Sequence, residues 1–140
     1  VLTPLTPEFV SANFNMFQPY VSLIGDVSVL REIQTGRLQL WVIGEVKDEK
    51  ERVALGVVAT SIVTDHFTGE RNLLVSLLHK AKPDVKLNEE LWIDGILHLK
   101  LYARQQGCKK IVAFSGNERV IEMFEKLGGN ASVRFLQMEV

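Results

Sequence analysis

Between Ala103 and Gly128 the chain runs helix stop, apolar strand, helix and helix stop with almost nothing in between, an order that few folds accommodate. Ile111, Val112, Ala113 and Phe114 form a continuous apolar run bounded by Lys109, Lys110 and Ser115, the pattern of a central strand in a parallel pair. Residues 117–127 read as a helix stopped by Gly128 and Gly129. Upstream, residues 91–106 read as a helix with Trp92, Ile96, Leu99 and Ala103 on one stripe. Ile93, Leu97 and Leu101 widen that stripe, which predicts burial on two sides. A strand that enters this helix and pairs in parallel with the strand leaving it requires a right-handed crossover.

The remaining elements follow from local chemistry. Thr6, Pro7 and Glu8 supply an N-cap, a first-turn proline and an acid on the positive end of a dipole, so a helix is expected through about Phe17, with Pro19 ending it. A second helix is expected from Asp26 as N-cap, through Val29, Leu30 and Ile33, to a stop at Gly36. Residues 38–46 and 53–63 are β-branched runs around the charged segment 47–52, the signature of an antiparallel hairpin. Residues 67–71 make a second turn, with Gly69 free to take positive φ, and 72–79 make a third strand. The polar segment 81–90 contains Pro83 and reads as a loop. Residues 133–140 alternate enough to close the sheet as a last strand. The expected architecture is α/β (α+β): one domain over residues 1–140, with a central mixed sheet of about 6–7 strands. That sheet is mostly antiparallel with one splayed parallel pair, and about 4 helices flank it.

Composition narrows the function classes. A chain of 140 residues, 46% hydrophobic and 24% charged, suits one core. Sixteen basic and 17 acidic residues are dispersed to a net charge of −1, so no run of one sign tracks a nucleic-acid backbone. No apolar stretch approaches the roughly 20 residues that cross a bilayer, and no signal-peptide pattern opens the sequence. The single cysteine, Cys108, permits no internal disulfide and no zinc spacing, and the three histidines are too scattered for a metal site. Neither nucleic acid, membrane nor metal is therefore expected. The cysteine usage suits a cytoplasmic protein.

The run Ala103-x-x-x-Gly107, the strand from Cys108 to Ser115 and the helix Asn117-Glu-Arg-Val-Ile-Glu-Met-Phe-Glu-Lys-Leu-Gly128 together resemble the C-terminal half of a GNAT acetyltransferase. The likeness is specific in sequence over residues 91–128 and extends in element order over essentially the whole chain. It implies that acetyl-CoA sits where the two central parallel strands splay apart. The pantetheine arm would then pair like an added strand with Leu74, Val75, Ser76, Leu77 and Leu78. The family's glycine-rich pyrophosphate loop falls on residues 87–92, where Glu90 and Trp92 occupy the glycine positions. A carboxylate there competes for an anion's place, and an indole fills it. Lys80, Lys82 and Lys86 are either substitute phosphate ligands or solvated lysines balanced by Asp84, Glu89 and Glu90. The tyrosine that protonates the departing thiolate in many members corresponds to Phe124, which has no proton to give. Asn117 matches the family pattern and serves either as a cofactor contact or as a helix N-cap.

Acetyl transfer to an amine needs a base, because an ammonium has no lone pair. In the family it often comes from the central meander strands, which here offer Asp65, His66, Glu70 and His79. His79 closes the strand assigned to the pantetheine arm, and Glu70 is the second candidate; Asp65 and His66 fit turn chemistry better. His98 is expected partly buried, and Cys108 is expected as a small core or edge residue. Three functions remain open. The first is an acyltransferase with an unidentified amine acceptor. The second is a catalytically inactive GNAT-fold structural or interaction protein, similar to short GNAT-like chains of phages and prophages. Such a part would self-associate or bind a protein partner, in host cytoplasm or virion. The third is a domain that binds an acyl or nucleotide ligand without turnover.

Overall fold

The structure is a computed structural model that describes residues 2–21, 29–46, 52–132 and 136–140. Thr6 Oγ1 accepts the N–H of Phe9 at 3.2 Å and Pro7 follows it, which starts helix α1 (Pro7–Ala12) where the sequence predicts. The helix expected to continue through Phe17 instead breaks at Asn13, whose φ is −120°. The chain restarts as α2 (Phe14–Val21), and Pro19 lies inside it rather than ending it. Because α2 begins so late, the missing proline N–H forfeits one bond, to the carbonyl of Asn15, and the short helix tolerates that. Helix α3 (Val29–Gln34) ends at Gly36, φ 76°, where the N–H groups of Gly36 and Arg37 reach back to the carbonyls of Ile33 and Glu32. The expected N-cap Asp26 lies outside the described residues.

Strands β1 (Leu2–Pro4), β2 (Leu38–Val46), β3 (Arg52–Thr64), β4 (Arg71–Lys80) and β5 (Lys110–Ala113) form one sheet in chain order. The first three pairings are antiparallel and β4 with β5 is parallel, as the crossover through α4 (Glu89–Gln105) demands. Helix α5 (Glu118–Lys126) follows β5. The described residues thus hold five strands and five helices, where the sequence suggests about 6–7 strands and about 4 helices. One extra helix comes from the break at Asn13. Residues 136–140 form no strand, and 133–135 lie outside the described residues, as does the charged turn at 47–51.

Two β-bulges set the pleat. In β2 and β3 the alternation sends Leu38, Leu40, Val57 and Ala59 to one face, against Val10, Phe17 and Ile33 of α1–α3. Trp41, Ile43 and Val58 go to the other face, against Leu99 and Ala103 of α4. Leu55 shares that second face with Val58 although three positions separate them, because the register slips where Ile43 pairs with Gly56 and Gly44 with Ala54. In β4, Leu73 and Val75 face α4, and strict alternation would put Leu77 beside them. Ser76 has no counterpart in β3, since Ala59 pairs with Leu77 and Thr60 with Val75. Leu77 therefore turns toward α1–α3 and Leu78 returns to the α4 face.

Among the described residues, one side of α4 is covered. Leu99 and Ala103 are buried, whereas Leu97 and Leu101 are 59% and 56% exposed, so the expected burial on two sides does not occur. A helix lying on one sheet hides a single stripe, and the 93, 97, 101 row falls outside it. His98 is likewise exposed, its Nδ1 2.8 Å from the Asp94 carbonyl. Both α4 and α5 close with the same motif: Cys108 N–H bonds Ala103 C=O past Gly107 (φ 73°), and Gly129 N–H bonds Phe124 C=O past Gly128 (φ 96°).

Candidate functional site: the cleft between the parallel strands

The bulge at Ser76 positions the cleft. The ladder between β4 and β5 runs from Asn72↔Lys110 to Val75↔Ala113 and stops there, one residue before the bulge. Beyond it Ser76, Leu77 and Leu78 continue along β3 while β5 hands over to the turn at Phe114, Ser115 and Gly116, so the two strands part. The gap is a cavity of about 350 Å³. Its walls are Val75–Leu78 of β4, Ala113–Ser115 after β5, Leu91, Trp92, Gly95, Ile96 and Leu99 of α4, and Val120 and Phe124 of α5. Leu2, Ile43 and Val58 form its floor. The lining is apolar apart from Ser76, Ser115 and Asn117, as suits an acyl chain or another largely apolar ligand.

The polar groups around the cleft are mostly committed to holding the fold. Asn117 Oδ1 accepts the N–H groups of Arg119 (3.0 Å) and Val120 (3.4 Å), so it caps α5. Ser115 Oγ accepts the N–H of Asn117 at 3.1 Å. At the other helix, Asn88 Oδ1 caps α4 by accepting the N–H of Leu91 at 2.9 Å. Glu89 and Glu90 occupy the first turn of α4, and Glu89 forms a 2.8 Å ion pair with Lys126 of α5. That hydrogen bond and charge hold the Glu89 carboxyl below its ordinary range. Lys80 Nζ donates to the Pro83 carbonyl at 3.3 Å, while Lys82 and Lys86 are exposed.

Of the residues singled out in the sequence, Val75, Ser76, Leu77, Leu78 and Asn117 line the cavity. Leu74 is half-buried and not part of the lining. Trp92 stands in the wall that α4 forms, and Phe124 occupies the wall of α5. His79 is exposed at the end of β4, opposite Val57, and is not among the lining residues. Glu70 sits at the other end of β4, roughly 20 Å from Ser76 along the strand, where it pairs with Lys110 at 3.4 Å. Asp65 belongs to the turn before β4, its Oδ1 accepting the N–H groups of Phe67 (2.8 Å) and Thr68 (3.0 Å). His66 is exposed in the same turn. Cys108 is half-buried against the core under α4.

Sequence reasoning missed Gly95. It lies inside α4, and a Cβ built there meets nothing within 4 Å, so packing does not require a glycine. Its effect is to widen the cavity it lines. A helix-interior glycine, which costs about 0.5–1 kcal/mol against alanine, is itself the signal that could have found it.

The chain superposes on solved acetyltransferases over nearly its full length. The chain has the GNAT fold. An aminoglycoside N-acetyltransferase in complex with CoA matches 100% of the chain and 98% of its own, with a TM-score of 0.69 at 13% identity. A ribosomal-protein-alanine N-acetyltransferase from Brucella melitensis matches 100% and 99%, with a TM-score of 0.62 at 12% identity. A predicted acetyltransferase with acetyl-CoA from Clostridium acetobutylicum matches 99% and 95%, with a TM-score of 0.63 at 11% identity. No protein-family model and no curated protein sequence matches the chain. At identities this low the likeness is one of fold, and the cleft described above lies between β4 and β5, the parallel pair, with β5 at the edge of the sheet among the described residues rather than central as the sequence suggests.

Proposed function

We propose that this chain is a GNAT-type acyltransferase that binds an acetyl thioester, acetyl-CoA, in the cleft between β4 and β5 and transfers the acetyl group to an amine. The observation that carries the reading is the bulge at Ser76, which ends the β4–β5 ladder at Val75 and opens a cavity of about 350 Å³ beside Ser76–Leu78. Backbone groups at a parted strand edge suit the amides of a pantetheine arm, and the apolar walls suit a thioester and its acyl group. In the transfer, the amine nitrogen forms a bond to the thioester carbonyl carbon and the C–S bond breaks. The electron pair leaves with sulfur, and the proton of the amine passes to a base. Sulfur leaves as thiolate without an acid at Phe124, because a thiol of pKa about 8.5 is a competent leaving group. His79, one residue beyond Leu78, is the base we assign, acting through water from its exposed position. Glu70, paired with Lys110 of β5 roughly 20 Å along the strand, lies too far from Ser76 to take this proton.

The test is amine-dependent release of thiol from acetyl-CoA, followed with a thiol reagent across polyamines, aminoglycosides and peptides with free N-termini. Release that requires both an amine and the native cavity, and that disappears in Gly95→Leu, supports the reading. Hydrolysis at the same slow rate with and without amine overturns it.

One observation favours a second reading, a GNAT-fold interaction protein without turnover, of the kind a phage particle would use. Ile93, Leu97 and Leu101 form an exposed apolar row on the outer side of α4. Sedimentation equilibrium separates the readings: self-association lost in Leu97→Glu, with no acetyl-CoA binding, favours the interaction role.

A further inference from the structure

The cleft is shaped for one end of a CoA thioester and not for the other. Helix α4 forms one wall, so a ligand leaving the cavity past Leu91 and Trp92 meets its first turn. A bare helix N-terminus would attract phosphate there, because its free N–H groups and the dipole favour negative charge. In this chain that charge is already supplied from within. Asn88 takes the Leu91 N–H, and Glu89 and Glu90 put two carboxylates on the first turn. Glu89 is also fastened to Lys126, which removes the nearest ammonium of α5 from service. An incoming pyrophosphate would lie against like charge and would have to win Lys126 from a 2.8 Å partner. In the neighbouring loop Lys80 bonds the Pro83 carbonyl, and the exposed side chains of Lys82 and Lys86 would have to lose their rotamer freedom to hold a phosphate, which offsets much of what they could contribute.

From this we infer that donor recognition in the cleft rests on the pantetheine arm and the acyl group, and that the nucleotide end of CoA contributes almost nothing to affinity. The inference rests on the acyltransferase reading and names its donor class: acylated pantetheine, whether the arm belongs to CoA or to another carrier. Ser76–Leu78 at the parted strand edge receive the arm, the cavity receives the acyl group, and Glu89 and Glu90 turn the phosphates out toward solvent.

Calorimetric titration of the full chain with acetyl-CoA, S-acetylpantetheine and 3′,5′-ADP tests it, in the native protein and in Glu89→Gln/Glu90→Gln. The expected result is that the two thioesters bind within about threefold of each other and that 3′,5′-ADP does not bind. The double substitution should tighten acetyl-CoA by about tenfold and leave S-acetylpantetheine unchanged. Acetyl-CoA binding about a hundredfold or more tighter than S-acetylpantetheine in the native chain overturns the inference and leaves the acyltransferase reading standing. Binding of neither thioester, in the native chain or the variant, overturns both.

Discussion

Glu89 at the start of α4 and Lys126 at the end of α5 meet at 2.8 Å, tying together the two helices that wall the cleft. The pair is surface-exposed, so its strength depends on both charges and on ionic strength. Glu89 titrates below its ordinary 4.5 because Lys126 stabilises the carboxylate. A depressed carboxyl contributes stability above that ordinary value and loses it as pH falls through the folded-state value. A double-mutant cycle on Glu89→Gln and Lys126→Met should therefore show favourable coupling at pH 7 and low salt, and none at pH 2 or in molar salt. Coupling that survives acid would place the interaction elsewhere.

Gly95 separates stability from binding. Gly95→Ala should stabilise the fold by about 0.5–1 kcal/mol, because alanine improves the helix and its Cβ meets no neighbour. The same methyl projects into the cavity, so ligand affinity should fall while the melting temperature rises. Chemical denaturation and calorimetry on one preparation give both signs, and a variant that gains both refutes the placement of Gly95 on the binding surface.

Gly129 and Phe124 pack too closely for any side chain at position 129. A Cβ there would lie 2.6 Å from the Phe124 carbonyl oxygen and 2.9 Å from its Cε1. Gly129→Ala should cost about 1–3 kcal/mol in overpacking and push the Phe124 ring into the cavity. A smaller cost, together with unchanged ligand binding, would show that the end of α5 yields without moving the ring.

Trp41 Nε1–H donates to Thr60 Oγ1 at 2.9 Å, and Thr60 is 0% exposed. Tyr102 of α4 packs edge-on against the Trp41 ring at 5.1 Å, which joins this bond to the layer above the sheet. Thr60→Val leaves the indole N–H buried without its acceptor and should cost about 1–3 kcal/mol. Adding Trp41→Phe should cost less than in the native background, with a coupling of about 1 kcal/mol. Urea unfolding of the four proteins in the cycle measures it, and strict additivity would deny the bond.

Asp65 holds the turn before β4 through the N–H groups of Thr68 and Phe67, which lower its carboxyl from the ordinary 3.8. The turn is thus most secure above that value and loosens as pH falls through the folded-state value. The amide shifts of Thr68 and Phe67 should titrate together with a midpoint below 3.8, and a midpoint above it would contradict the two hydrogen bonds.

What the sequence by itself determined is local and periodic. Thr6 with Pro7, Gly36, Gly69, Gly107 and Gly128 mark caps and turns because each demand is met within a few residues. The apolar run at 111–113 indicated a strand paired in parallel, and the element order pointed to the GNAT fold. Pro19 was misread because whether a proline ends a helix depends on where that helix begins, and the break at Asn13 moved the start. The wide stripe of α4 was misread because periodicity counts apolar faces and cannot count the layers available to cover them.

Only the tertiary structure decided the cleft. No residue pattern announces that Ser76 will go unpaired in β3, because a bulge is a property of two registers laid side by side. That slip turns Leu77 and Leu78 to opposite faces, ends the ladder at Val75 and sets the cavity's position. The meeting of Glu89 with Lys126 is equally invisible along the chain, since 37 positions separate residues that the fold brings to 2.8 Å. Sequence specified the elements through short-range chemistry; the long-range packing of α4 and α5 over a bulged strand turned them into a site.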